Sequence, residues 1–129
     1  MANDMNTNFV LRTIEKRDVR FVRLWFTDVL GNLKSFSISP AELEEAFEEG
    51  IGFDGSAVAG FVPLEESDML AFPDAETFQI LPWRPSNSGV ARIFCRICTP
   101  KGEPFAGDPR SCLERVFAEA DAKGFVPNV

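Results

Sequence analysis

The amino-acid sequence predicts an α+β fold: a mixed β-sheet packed against a helix, with additional helices towards the N- and C-terminal ends. Segments in which apolar and polar residues alternate predict strands before and after one strongly capped helix. The 129 residues are the size of one ordinary domain. With 45% hydrophobic and 26% charged residues, the chain can form a packed core.

The first third of the chain predicts a helix and a β-hairpin. Residues 1–6 are expected to form a loose polar tail, and residues 7–16 a short helix. The stretch "DVRFVRLWFTDVLGNLKSFSIS" then alternates over two runs, which predicts strands at 19–27 and about 33–39. Between them Gly31 is the residue expected to adopt a positive φ in the turn.

The next helix carries the clearest local signals. Ser39 is the predicted N-cap, Pro40 the first helical residue and Glu42 the third, which is a capping box. The helix is expected to continue to about Glu49 and to end at Gly50. Its glutamates are expected to form a solvated face. Its predicted apolar stripe consists of Leu43, Ala46 and Phe47.

The second half of the chain predicts further strands and a closing helix. The stretch "GFDGSAVAGF" is expected to be a loop. The stretches "MLAF" and "FQILPW" are expected to be short strands separated by a turn at 73–75. A long strand is expected at 90–99. The closing helix opens at Asp108 with Pro109 in its first turn. The final "FVPNV" is expected to begin another strand, as in a chain cut inside a larger fold. The apolar residues of the closing helix follow helical spacing: Leu113, Val116, Phe117 and Ala120.

This order of elements favours a β-grasp-like domain, in which the sheet grips the helix at 39–49. We predict three parts: a tail and short helix at 1–17, the β-grasp domain at 18–107, and a helix at 108–129 that starts a further domain.

Composition excludes several classes of function. The net charge of −7 argues against nucleic acid or an anionic membrane surface as a partner, since both favour a basic patch. The N-terminal "MANDMNTNF" lacks the features of a signal peptide, so a cytoplasmic protein is expected. The chain has no histidine, so acid–base chemistry must come from carboxylates, lysines or another chain.

Cys95 and Cys98 form a C-x-x-C motif within the predicted long strand. The alternation of side chains along a strand places the two cysteines on opposite faces, where they cannot bind one metal ion or form an easy disulfide. We therefore expect core cysteines rather than a metal or redox site.

The loop "GFDGSAVAGF" is the candidate site. Asp-Gly is common turn chemistry, so Asp54 has a purely structural interpretation as well as a functional one. Phe53 and Phe61 frame the loop and are expected to anchor it by burial. Asp68, which follows the loop, is either a cap, a surface charge or a second functional carboxylate.

Several motifs together resemble the N-terminal domain of bacterial-type glutamine synthetases. "FDGSAVAGF" is similar to that family's F-D-G-S-S-[IV]-x-G-[FW] pattern, "EESDMLAFPD" to its E-S-D segment, and "GDPRSCLERV" to its D-P-R helix start. The resemblance covers nearly the whole chain after the first few residues.

The resemblance implies a ligase that joins glutamate and ammonia through γ-glutamyl phosphate in a ring, commonly of twelve subunits. It also implies that ATP and Mg²⁺ or Mn²⁺ bind in a large C-terminal domain, so the 129 residues alone are expected to bind no cofactor and to be inactive.

The resemblance also implies roles for particular residues. Asp54 matches the aspartate that reaches a neighbouring subunit's active site and deprotonates ammonium, and Ser56 matches a serine of the same ammonium loop. Ala57 departs from the pattern, which has a second serine there. Asp68, Phe53 and Phe61 are predicted to support the loop or the subunit interface, and no metal ligand is predicted.

Two alternatives remain open. One is a ligase that joins glutamate to an amine or polyamine, which the loss of the hydroxyl at Ala57 favours weakly. The other is a stand-alone β-grasp module that acts through binding.

Overall fold

The computed structural model describes residues 2–55, 68–83 and 89–128, with side chains from residue 5 onward. This part of the chain holds helices, strands and one short 3₁₀ helix at Ala75–Thr77. The helices are α1 (Ala2–Lys16), α2 (Pro40–Glu49) and α3 (Pro109–Ala122). The strands are β1 (Val19–Thr27), β2 (Leu33–Ile38), β3 (Ile51–Asp54), β4 (Asp68–Pro73), β5 (Gln79–Ile80) and β6 (Gly89–Cys98).

The strands form one mixed sheet in the order β2-β1-β6-β4-β3, and β5 pairs with β6. The central strands β1 and β6 are parallel, while the other pairs are antiparallel. Helix α2 packs against β1 and β4, and α1 packs against α2 and the 3₁₀ helix. The predicted α+β class with a mixed sheet gripping a helix is confirmed.

One face of the sheet builds the core. Along β6, Ala91, Ile93, Cys95 and Ile97 are at most 1% exposed, while Arg92, Phe94 and Arg96 on the opposite face are half-buried. On α2, Leu43 and Ala46 are fully buried, as the predicted stripe requires. Burial of a leucine side chain of this kind stabilises the fold by about 2 kcal/mol. Strand β1 supplies Val22, Leu24 and Phe26 to the same core.

Helix α2 begins and ends as its sequence predicts. The Glu42 carboxylate accepts hydrogen bonds from the backbone N–H of Ser39 at 2.8 Å and from its hydroxyl at 3.0 Å. At the other end Gly50 adopts φ +75°, and its N–H donates to the carbonyl of Ala46 at 2.9 Å. These contacts satisfy backbone groups that a helix end leaves unpaired.

The hairpin turn between β1 and β2 is organised by Asp28, which is buried. One carboxylate oxygen accepts hydrogen bonds from the backbone N–H groups of Leu30 (3.0 Å) and Asn32 (2.8 Å). Burial by itself would raise the pKa of Asp28, but these hydrogen bonds and the charge of Lys34 outweigh it, and the pKa is lowered. Gly31 has φ +84°, as predicted.

The structure corrects four expectations. Helix α1 begins at Ala2 rather than residue 7, because the added turns lengthen the hydrogen-bonded helix and bring Asn6 to within 3.4 Å of Glu76. The predicted loop begins later, since Ile51–Asp54 pairs with β4. The strand predicted for "FQILPW" is shorter and contains only Gln79–Ile80. Residues 125–128 form no strand, because Phe125 and Val126 are exposed and have no strand partner in the described residues.

Helix α3 forms as predicted, but its apolar stripe is divided: Phe117 and Ala120 are half-buried, whereas Leu113 and Val116 are exposed. Leu113 and Val116 are 54% and 53% exposed. The helix instead meets the sheet through the side that carries Arg110, Ser111 and Glu114. Polar side chains therefore make much of the contact between α3 and the sheet, while Leu113 and Val116 face outward.

Candidate functional site

Strands β3 and β4 bring the two candidate carboxylates together. Asp54 and Asp68 are directly opposite each other in the antiparallel register. Residues in this relationship have Cβ atoms about 4.5–5.5 Å apart. Asp54 is the last residue of β3 and Asp68 is the first residue of β4, and both residues are exposed.

The alternation of side chains along these strands directs both carboxylates away from the core. Phe53 lies 5.1 Å from the ring of Phe26 and 5.7 Å from the ring of Phe36, measured between centroids, and therefore points inward. Met69 is 2% exposed and also points inward. Asp54, which follows Phe53, and Asp68, which precedes Met69, therefore lie on the outer face of the sheet.

A groove of about 350 Å³ lies beside this pair. Asp68 lines it together with Gly52 and Leu70, which are opposite each other in the register, and with Pro100 from beyond β6. The remaining lining comes from Phe53 and Met69. The lining of the groove thus includes one acidic residue, Asp68, and is otherwise mostly apolar.

Sequence reasoning singled out Asp54 and Asp68 but did not predict that they form a cross-strand pair. The apolar residues Ile51 and Phe53 alternate with Gly52 and Asp54, and this alternation could have predicted that a strand extends into the loop. The predicted residues Ser56, Ala57 and Phe61 lie outside the described residues, so their predicted roles stay predictions.

A pair of carboxylates on one exposed face attracts a cation, and a carboxylate can also accept its proton. The side chains of the described residues offer no set of ligands that fits a resident metal ion. Across residues 2–55, 68–83 and 89–128, no group of three or more Cys, Asp or Glu residues could hold one.

The C-x-x-C motif has the predicted geometry. Cys95 points into the core, and burial raises the pKa of its thiol to about 12. Cys98 lies on the other face of β6, and burial raises its pKa as well. Both thiols are therefore protonated near neutral pH, which is unfavourable for metal binding or nucleophilic chemistry.

A second charged cluster joins α3 to the sheet. Arg110 donates to the Asp74 carboxylate at 2.9 Å, and Arg96 lies 3.6 Å from the same carboxylate. Glu114 accepts hydrogen bonds from Nε of Arg96 at 2.9 and 3.0 Å. These four residues, Asp74, Arg96, Arg110 and Glu114, are called the α3 clamp below.

Aromatic rings continue this outer face. Trp25 packs edge-to-face on Phe94 with centroids 5.6 Å apart. The guanidinium of Arg92 lies over both rings, at 5.7 Å from Trp25 and 5.0 Å from Phe94, and donates a hydrogen bond to the carbonyl of Thr77. We find no helix in the described part of the chain that is long and apolar enough to cross a membrane.

Comparison with known proteins gives consistent matches. The sequence profile of the family described as "Glutamine synthetase, beta-Grasp domain" matches residues 18–100. A glutamine synthetase of Mycobacterium bovis is 58% identical over 124 residues, and one of Mycolicibacterium smegmatis is 59% identical over 124 residues. Each of these matches covers 95% of this chain but only 28% of the relative.

Solved structures show the same fold. A structure titled "GmaS/ADP complex" superposes with a TM-score of 0.80 at 29% identity, covering 88% of this chain and 26% of that one. A Plasmodium falciparum glutamine synthetase superposes with a TM-score of 0.80 at 22% identity, covering 95% of this chain and 23% of that one. The matched region is the N-terminal part of the longer relatives. The chain therefore belongs to the glutamine synthetase family and corresponds to its N-terminal β-grasp domain.

Proposed function

We propose that the protein containing this chain is an ATP-dependent ligase that forms glutamine from glutamate and ammonia through γ-glutamyl phosphate. In this proposal the chain supplies Asp54 to the active site of a neighbouring subunit and forms part of a ring interface. The mycobacterial relatives, which are named glutamine synthetases, support this activity.

The observation that carries the proposal is the register of Asp54 opposite Asp68 on the exposed face of β3 and β4. Two carboxylates there favour the cationic form of the nucleophile, ammonium. Transfer of one proton to Asp54 leaves neutral ammonia, which attacks the acyl carbon of γ-glutamyl phosphate. Phe53 anchors the strand that carries Asp54 by packing against Phe26 and Phe36.

The rest of the active site belongs to residues beyond the 129, since the chain spans only 28% of the mycobacterial relatives' length. ATP and Mg²⁺ or Mn²⁺ would bind there and supply the phosphoryl group and its charge neutralisation. We therefore expect the 129-residue chain alone to be inactive, and to become part of an active site only when subunits assemble.

Helix α3 forms the junction with that remainder. Its outward apolar residues Leu113 and Val116 offer a surface to a packing partner, while the α3 clamp holds the opposite side of the helix on the sheet. This arrangement supports the predicted division, in which residues 108–129 lead from the β-grasp domain into the catalytic domain.

The role of Asp54 is tested in the complete protein by Asp54→Asn, which removes the charge but keeps the size of the side chain. We expect kcat with ammonium to fall by roughly 10²-fold or more, while ATP affinity changes little. Glu48→Gln is the matched control, because Glu48 is an exposed carboxylate on α2. Equal turnover in the two variants would reject the role of Asp54.

A second candidate is a ligase that joins glutamate to an organic amine. The groove beside Asp68 favours it, because its volume far exceeds what one ammonium ion occupies. Assay of the complete protein with ammonium and with primary amines, each with glutamate and ATP, separates the two activities.

A further inference from the structure

Four polar side chains form a straight row across the outer face of the sheet. Arg23 on β1 lies directly opposite Arg92 on the parallel strand β6. Ser37 on β2 is opposite Arg23, and Gln79 on β5 is opposite Arg92. The residues on either side of both arginines are fully buried, so the row projects outward, with neighbouring strands about 4.8 Å apart. These residues are called the donor row, because each side chain can donate hydrogen bonds: Ser37, Arg23, Arg92 and Gln79.

The two arginines in the middle of the row lack a counter-charge. Like charges on directly opposite residues of neighbouring strands destabilise a sheet. Among the described residues, neither Arg23 nor Arg92 forms an ion pair, whereas Arg96 on the same face lies 2.9 Å from Glu114. The chain has 20 acidic and 13 basic residues, so carboxylates are abundant in it. Two adjacent guanidiniums without one indicate that the negative charge comes from outside the described residues.

The carboxylate pair at Asp54 and Asp68 does not supply this charge. Leu70, two residues beyond Asp68, is opposite Cys98, which is six residues along β6 from Arg92. At about 3.4 Å per residue, the two strand positions are therefore roughly 20 Å apart. Exposed charges at that separation are largely screened at physiological salt. The pair therefore does not neutralise the donor row.

Arg92 is held in place before any ligand arrives. Its guanidinium lies over the rings of Trp25 and Phe94 and donates a hydrogen bond to the carbonyl of Thr77. Burial lowers the pKa of Arg92, because water is partly withdrawn from its charge. A partly desolvated cation that is already oriented binds an anion with less loss of conformational freedom.

The donors of the row match a phosphate group better than a carboxylate. A carboxylate carries one charge on two oxygens, and a single guanidinium binds it through two parallel hydrogen bonds. A phosphate monoester carries a charge of about −1.5 to −2 and three acceptor oxygens near neutral pH. Two guanidiniums side by side, with a hydroxyl and an amide at the ends of the row, offer the charge and the donors that such a group requires.

We propose that the donor row is a binding site for a phosphate group, carried either by inorganic phosphate or by a small phosphate monoester. Arg23 and Arg92 share the phosphate oxygens, while Ser37 and Gln79 donate hydrogen bonds from the two sides. Binding forms no covalent bond and offsets the repulsion between the two guanidiniums.

Protection of Arg23 from phenylglyoxal, a reagent that modifies guanidinium groups, tests the site in the complete protein. Mass spectrometry of peptides gives the labelling rate of each arginine. We expect saturating inorganic phosphate to slow labelling of Arg23 by about fivefold or more, and potassium chloride of equal ionic strength to have little effect. Arg115, exposed on α3, is the internal control and should label equally in both solutions. Glycerol 3-phosphate is titrated in parallel, and the tighter of the two probes identifies the source of the phosphate group.

Two variants test the neighbours of Arg23 in the row. Arg92→Gln should raise the phosphate concentration that half-protects Arg23 by about tenfold or more, because one charged pair is lost. Arg115→Gln, its matched control, should leave that concentration within about twofold. Ser37→Asp places a carboxylate beside Arg23 at an exposed position on the edge strand, so it should weaken phosphate binding without disturbing the core. Ser37→Asn, which has the same shape without the charge, is its control.

Any of four results would exclude a phosphate site. If Arg23 resists labelling without phosphate while Arg115 reacts, another part of the protein covers the row. Equal protection by potassium chloride would indicate charge screening alone, and equal protection by succinate would assign the row to carboxylates. Equal phosphate affinity in Ser37→Asp and Ser37→Asn would show that the row does not contact the phosphate group.

Discussion

Arg110 and Asp74 form a 2.9 Å charged hydrogen bond that ties the first turn of α3 to the residue that follows β4. Arg110 also lies over the ring of Phe94, with its guanidinium carbon 5.8 Å from the centroid. The contact is partly exposed, so its contribution to stability comes from the combination of ion pair, hydrogen bond and ring packing rather than from charge alone. It holds the first turn of α3 against the sheet.

Removal of this contact should loosen α3 before the rest of the domain. We expect Arg110→Ala to lower the free energy of unfolding by about 1 kcal/mol and to speed amide hydrogen exchange in α3 more than in β1 and β6. The control is Arg115→Ala, at an exposed position on the same helix. If both variants exchange alike in α3, the α3 clamp does not hold the helix.

The Asp28 turn should make stability depend on pH at the acidic end. Because the pKa of Asp28 is lowered from 3.8 in the folded state, its ionised form stabilises the fold above that value. This contribution is lost as pH falls through the folded pKa, below about 3.8. We expect Asp28→Asn to be less stable than the parent at pH 7 and to lose less stability between pH 5 and pH 2.

Urea denaturation midpoints at several pH values measure this difference. Asp121→Asn serves as the control, because Asp121 is exposed on α3. A parent and an Asp28→Asn variant with parallel pH profiles would contradict the assignment.

Gly50 should tolerate alanine poorly for two reasons that can be separated. Gly50→Ala is expected to destabilise by roughly 1–2 kcal/mol through its left-handed φ, and further through the contact with Phe72. Gly102 also has a positive φ, +84°, but a Cβ added there would meet no atom within 4 Å, so Gly102→Ala measures the cost of a positive φ without a steric contact. Equal losses in the two variants, measured by thermal denaturation, would show that Phe72 adds nothing.

Cys112 and Cys95 should differ in reactivity. At pH 8 we expect iodoacetamide to modify the exposed Cys112 and to leave Cys95 unmodified until the protein unfolds, because burial raises the pKa of Cys95 to about 12. Mass spectrometry of peptides from native and urea-treated samples measures both. Rapid native labelling of Cys95 would be inconsistent with its position in the core.

The outward stripe of α3 should matter only when a packing partner is present. We expect Leu113→Gln with Val116→Gln to change the unfolding free energy of the 129-residue chain by no more than about 0.5 kcal/mol, because both positions are more than half exposed. In the complete protein the same pair should cost more than about 1 kcal/mol through lost apolar burial. Equal effects in the two settings would argue against the proposed junction.

The sequence alone determined the elements whose signals are local. Ser39, Glu42 and Gly50 defined the ends of α2, because capping is chemistry between neighbours in the chain. Strict alternation along β6 defined its two faces and separated Cys95 from Cys98. The family motifs located Asp54 and Asp68 as the candidate site.

Only the tertiary structure decided how distant segments meet. The register of β3 on β4 places Asp54 opposite Asp68 and opens the groove at Gly52, and no local pattern specifies which residues of two strands become partners. Likewise, helical spacing revealed the apolar stripe of α3 but not its direction, which the α3 clamp sets through residues from β6 and the end of β4. Local patterns determine each element, whereas contacts between elements determine what each one faces.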